Sequence, residues 1–148
     1  MQTQLRAVEA NTPVSFNIGP SKHLSWKEMA CKDGTPYPDE GRRSRGVILA
    51  GVFELIREKC GNKPIIVLSA YRTPGYNRKV GGVPGSQHPL GRALDLRPPN
   101  TMDLFPFHSL IVQMARFTAI RGIGYYPKKN FVHIDVRPTE KLAQWSET

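Results

Sequence analysis

The chain has 148 residues, a formal net charge of +9, 39% hydrophobic and 22% charged residues. This composition excludes an intrinsically disordered polymer, and the length suits one domain that buries roughly 68–70% of its unfolded surface without disulfide or metal staples. No run approaches the roughly 18 uninterrupted apolar residues of a membrane span, and MQTQLRAVEAN at the start lacks the basic-then-apolar order of a secretory leader. The expectation is one domain over residues 1–148, made in the cytoplasm, not inserted in a membrane and delivered to any outside target by other means. Two cysteines, Cys31 and Cys60, are too few for an all-cysteine zinc site and read as buried thiols.

Residues 1–20 read as an irregular arm rich in Pro, Gly, Ser and Asn. A short helix is expected at Ser25–Cys31, where Ser25 and Glu28 have capping-box spacing, and KDGTPYPDEG then reads as turns. From Ser44 to Lys59 the residues Val47, Ile48, Val52, Leu55 and Ile56 recur at helical spacing, with Gly61 as a stop. Ile65–Ser69 is a β-branched run after Pro64 and predicts a buried strand. Residues 72–92 hold five glycines and three prolines, a long ordered loop with one helical turn. Long loops inside compact domains are usually functional. A strand at Ala93–Arg97 follows, then a helix at Asp103–Thr118 capped by Asp103 or Thr101. Strands at Gly122–Tyr125 and Phe131–Arg137 close around a YPKKN turn, and residues 139–148 form a C-terminal tail. The order predicts an α+β fold with a small antiparallel sheet.

The positive charge is uneven. Residues 41–80 carry nine basic and two acidic groups, among them Arg42, Arg43, Arg45, Arg72, Arg78 and Lys79. Such a stretch is either a solvated basic face or an attraction to a nucleic acid, a membrane surface or a cell-wall polymer. The aromatic interleaving of single-strand nucleic-acid platforms is missing, so no specific nucleic-acid partner is expected.

Two strands break their own patterns in the same way. In ALDLR, Leu94 and Leu96 share one face while Ala93, Asp95 and Arg97 share the other; in VHIDVR, Val132, Ile134 and Val136 oppose His133, Asp135 and Arg137. If the strands are neighbours, Asp95 and His133 meet. His88 enters from the loop, stiffened by Pro89 and turned by Gly91. Two imidazoles and one carboxylate match a hydrolytic zinc site, with three protein ligands and one position left for water. Spacing alone leaves the plainer alternative open, a pair of hydrogen-bonding histidines and an Asp95 paired with Arg92 or Arg97.

Ser69-Ala70-Tyr71-Arg72-Thr73-Pro74 with Asn77, then Ser86-Gln87-His88-Pro89-Leu90-Gly91-Arg92-Ala93-Leu94-Asp95, then Gly122-Ile123-Gly124-Tyr125 leading to Phe131-Val132-His133-Ile134-Asp135-Val136, resemble the zinc D-Ala-D-Ala carboxypeptidase family. That family includes phage L-alanoyl-D-glutamate endopeptidases and belongs with the lysostaphin-like and hedgehog-type zinc folds. The resemblance implies one Zn²⁺ per chain held by His88, Asp95 and His133, on a sheet with helices packed on one side. It further implies Arg72 at the substrate carbonyl or its oxyanion, and Ser86 at the substrate with Tyr71 and Gln87. The implied activity is a hydrolase of peptidoglycan stem peptides, a carboxypeptidase or endopeptidase. A monomeric phage lysin or virion-borne enzyme, held at an anionic cell envelope, is the expected setting. An inactive peptidoglycan-binding module of the same fold is the alternative.

The resemblance departs at the general base. Some relatives place an acid three residues before the last histidine ligand and others a histidine two before it, and here those positions are Asn130 and Phe131. Asp135 is the remaining candidate, with a ligand-orienting partner of His133 as its other reading. His108 reads as a core or capping residue, and His23 carries no signal. Trp26, Tyr37, Tyr125, Tyr126 and Trp145 read mostly as packing aromatics, with the lining of a glycan or peptide groove as their other reading.

Overall fold

The structure, a computed structural model, describes residues 19–147; residues 1–18 of the expected arm lie outside that range. A capping box at Ser25 and Glu28 starts α1 (Trp26–Met29), which ends sooner than expected because Ala30 is already extended. Helix α2 (Glu40–Lys59) begins four residues before the expected Ser44. Asp39 caps it, accepting from the Arg42 N–H at 2.8 Å, so a polar first turn forms where no apolar period announces it. The buried stripe of α2 is Leu49, Ala50, Val52, Phe53 and Ile56, whereas Val47, Ile48 and Leu55, expected inside, are 51%, 49% and 42% exposed. This helix is apolar around most of its circumference in that stretch, so spacing alone did not select the face.

Strand β1 (Ile66–Ser69) leads into the glycine-rich segment, which holds α3 (Pro74–Lys79), capped by Thr73 with Pro74 at its start, and a 3₁₀ turn at His88–Leu90. Strand β2 (Ala93–Arg97) then precedes α4 (Leu104–Met114), shorter at its C-terminal end than expected. Strands β3 (Gly122–Tyr126) and β4 (Phe131–Asp135) form a hairpin, and β5 (Ala143–Ser146) ends the chain's regular structure. The sheet order is β1-β2-β4-β3-β5. Every pairing is antiparallel except β3 with β5, which is parallel. The expected C-terminal tail is therefore an edge strand, short and half exposed, whose sequence AQWS carries no alternation strong enough to announce it.

The two faces of the sheet separate as their side chains dictate. Leu94, Leu96, Ile123, Val132 and Ile134 form one cluster with Phe53 and Ile56 of α2 and Phe107, Ile111 and Met114 of α4. The helices thus cover the aliphatic face, and the opposite face is left for polar groups. Cys31 and Cys60 are buried and unpaired, as expected.

Candidate metal centre

The register of β2 on β4 sets Asp95 directly opposite His133. Their side chains meet at 3.0 Å between Asp95 Oδ1 and His133 Nδ1, and His88 Nε2 reaches the same oxygen at 3.2 Å. All three residues are buried, with exposures of 3%, 5% and 8% for His88, Asp95 and His133. Each imidazole is fixed by its other nitrogen. His88 Nδ1 lies 2.6 Å from the Ala70 carbonyl, and His133 Nε2 lies 2.7 Å from Asp135 Oδ2. A carbonyl oxygen accepts only, so His88 Nδ1 carries a proton toward Ala70; His133 lies between two carboxylates, and a metal held at its Nδ1 would leave its proton at Nε2 toward Asp135.

The donor set fits a zinc ion. Bonds of about 2.0–2.1 Å place neighbouring ligand atoms of a tetrahedron about 3.3 Å apart, close to the two separations found here. One ligand atom from each residue falls within a 4.8 Å span, and three protein ligands leave a position open.

Electrostatics favour the ionised carboxylates. Burial pushes the Asp95 carboxyl up, but the two histidines outweigh it and hold it far below the ordinary range. Burial likewise disfavours a charged His133, and the bonds to Asp135 and Asp95 overcome it and raise its pKa. Asp135 is wholly inaccessible. Burial raises its pKa, and the Arg137 and His133 bonds more than reverse that. The Arg137 fork donates from Nε to Oδ1 and from Nη2 to Oδ2, each at 2.8 Å.

Glycines on β3 make room for this arrangement. A Cβ on Gly122, opposite Asp135 in the register, would collide with its carboxylate, and one on Gly124, opposite His133, would stand 2.6 Å from Trp145 Nε1. Trp145, delivered by β5, lies 5.2 Å from the His133 ring, takes the Arg137 guanidinium over its face at 5.2 Å and donates to Tyr126 Oη at 2.9 Å.

Arg72 stands on the β1 side. A bulge between Val67 and Ser69 sets Ser69 opposite Asp95. The guanidinium then donates from Nε to Ser69 Oγ at 3.0 Å, from Nη1 to Asn77 Oδ1 at 3.1 Å and from Nη2 to Asp95 Oδ2 at 3.2 Å. Ser86 and Gln87 line the same cavity, of about 620 Å³, as do Arg72 and the three cluster residues. Ser86 Oγ also accepts the His88 N–H at 3.2 Å. Tyr71, expected at the substrate, is 5% exposed, packs its ring 5.4 Å from Tyr37 and does not line the cavity. Its ring sits in the core cluster with Tyr37.

Spacing missed Lys129 and Phe131 as cavity-lining residues, put Arg137 on the ionisable face without a role, and gave Tyr126 and Trp145 mostly to packing. The signal that was available is the Gly122-x-Gly124 pair, two bare positions at strand period on the site face. Asn130 is found in the left-handed region at φ 56°. Asparagine tolerates that conformation, as aspartate does, and glutamate does so poorly, so the turn disfavours a glutamate there.

Residues 22–135 match the peptidase M15 family. The chain belongs to that family. It is similar to proteins named peptidoglycan L,D-endopeptidase MepK from Escherichia coli (strain K12), Escherichia coli O157:H7 and Shigella flexneri. Each is 32% identical over 85 residues, which cover 51% of this chain and 42% of the relative. The M15 chain described here therefore spans less than half the length of those relatives, and the matched M15 region contains the whole His88–Asp95–His133 cluster.

Proposed function

We propose that this chain is a zinc-dependent peptidase that hydrolyses an amide bond within peptidoglycan stem peptides, acting as an endopeptidase. The observation that carries this reading is the buried His88–Asp95–His133 cluster on a cavity wall, with each imidazole backed through one nitrogen and turned to Asp95 with the other. The endopeptidase assignment is supported by the relatives' name and by a cavity that extends to both sides of the cluster.

When bound, zinc supplies Lewis acidity toward a carbonyl and an activated water at the open position. The chain's residues do the rest. Three of the five Arg72 N–H groups are engaged, which fixes the guanidinium and leaves two to receive a carbonyl oxygen as it gains charge. Ser86 and Gln87 offer polar contacts beside it. Asp135, inaccessible and bonded through both oxygens, holds the His133 proton at Nε2 and so acts as a positioning residue in place of the general base.

The test is release of new amino termini from purified peptidoglycan by the zinc-loaded chain, with and without a chelator, followed by mass spectrometry of the fragments. Chelator-sensitive release is expected, and His88→Ala and His133→Ala should each lose zinc by elemental analysis. Full zinc retention in both variants overturns the metal set. One equivalent of bound zinc with no release favours a binding module, the reading that the exchange of acid for Asn130 supports.

A further inference from the structure

The two sides of the cavity differ in how their cations are committed. On the β1 side the Arg72 guanidinium is bonded in three directions. On the far side of the β2–β4 pair, Arg137 grips Asp135. Lys129 is different: it lines the cavity from the β3–β4 turn, and its ammonium has no hydrogen bond or ion pair with any described residue. Among the described residues Asp95 is the sole carboxylate on the cavity wall, and it belongs to the metal cluster.

The turn that presents Lys129 is held in place. Arg97, on the site face of β2, donates from Nε to the Asn130 carbonyl at 3.1 Å and from Nη2 to the Lys129 carbonyl at 3.3 Å. The Lys129 N–H donates to the Tyr126 carbonyl at 3.2 Å, and the Lys128 N–H donates to Glu147 Oε2 at 3.0 Å. An exposed four-residue turn is thus tied to β2 on one side and to the residue after β5 on the other. A ligand that reaches Lys129 meets a fixed backbone, so only the side chain must be ordered on binding. Stacked Tyr126 and Phe131, 4.5 Å apart, and Trp145 flank the approach with low-dielectric surface, which strengthens an ammonium–anion contact.

We propose that Lys129 receives a free carboxylate of the substrate on the hairpin side of the metal cluster. The chain then prefers stem peptides that are acidic at that position over the same peptides in amidated form. This deepens the peptidase reading and rests on it for the identity of the substrate.

The experiment uses the full chain with two probes, purified muropeptides with free carboxylates and the same muropeptides amidated with carbodiimide and ammonia. Wild type should prefer the acidic probe, through KM. Lys129→Met should narrow that preference roughly fivefold, Lys129→Arg should keep it, and Lys129→Glu should invert it. Calorimetric binding of the acidic probe to the metal-free chain should weaken by the same factor in Lys129→Met. An unchanged acid-over-amide ratio in both Lys129→Met and Lys129→Glu overturns the proposal and leaves the peptidase reading standing. Lys129-dependent binding without hydrolysis of either probe overturns the peptidase reading and supports the anchor.

Discussion

The two histidines of the His88–Asp95–His133 cluster are held by different means. His88 sits in a 3₁₀ turn of the loop, and its backing acceptor is the Ala70 carbonyl, a group that no side-chain substitution removes. What secures that turn is helix α2: Arg42 Nε donates to the Pro89 carbonyl at 2.9 Å and Arg45 Nη1 to the Leu90 carbonyl at 2.8 Å. His133 sits in mid-strand, and its backing acceptor is a carboxylate, itself gripped by a guanidinium. One imidazole is positioned by backbone geometry and the other by a buried charge pair. The first arrangement resists mutation at any one residue, while the second concentrates its strength in Asp135.

Replacing Asp135 is therefore expected to give the largest effect. Asp135→Asn keeps the shape but removes the charge that orders the His133 proton and satisfies Arg137. Metal affinity should fall about 10–100-fold, as read by competition with a chelator. Stability at neutral pH should fall by about 3 kcal/mol, because Arg137 loses the charge it pairs with. The sign of the pH dependence follows from the depressed carboxyl pKa. The contribution of ionised Asp135 is fully present above the ordinary carboxylate range and is lost as the pH falls through and below it, so wild type and variant should converge under acid. Denaturation midpoints at neutral and acidic pH check this, and a gap that widens under acid would contradict it.

The strand that carries this half of the cluster was the legible half of the site. ALDLR and VHIDVR each announce one aliphatic and one ionisable face, and alternation needs no tertiary information to be read. His88 was legible through its loop and the family resemblance. The roles of Arg42 and Arg45 were not: the charge of residues 41–80 suggested attraction to a polyanion, whereas these two side chains bond carbonyls 47 and 45 residues away in sequence. Long-range donation to backbone has no sequence signature. The same holds for Trp145, brought beside His133 by a parallel pairing of β5 with β3 that no turn dictates. Asp135 showed its face but not its partner fork.

A smaller effect is expected from the opposite strand. Gly122→Ala puts a methyl group where the Asp135 carboxylate stands, with no solvent into which the carboxylate could move. Either β3 shifts or Asp135 turns from His133, and in both cases the His133 half loosens while the His88 half is untouched. A loss of metal affinity of roughly tenfold is expected, below that of Asp135→Asn. Histidine ring resonances read by NMR should move for His133 and stay for His88, and equal movement of both would dissolve the distinction between the halves.

The mildest change should come from the helix that braces His88. Arg42→Ala and Arg45→Ala each delete one charged donor to a carbonyl of the turn, a loss of about 1–2 kcal/mol of stability apiece. The Ala70 carbonyl still meets His88 Nδ1, and the αL conformation of Gly91 at φ 72° still closes the turn. Metal affinity should therefore fall by less than about tenfold in either variant and by more in the double variant, since each arginine holds a different carbonyl and the second restrains the turn when the first is gone. A single arginine variant that loses as much metal affinity as Asp135→Asn would show that His88 depends on side chains as heavily as His133 does, and that the backbone carbonyl alone does not hold its ring.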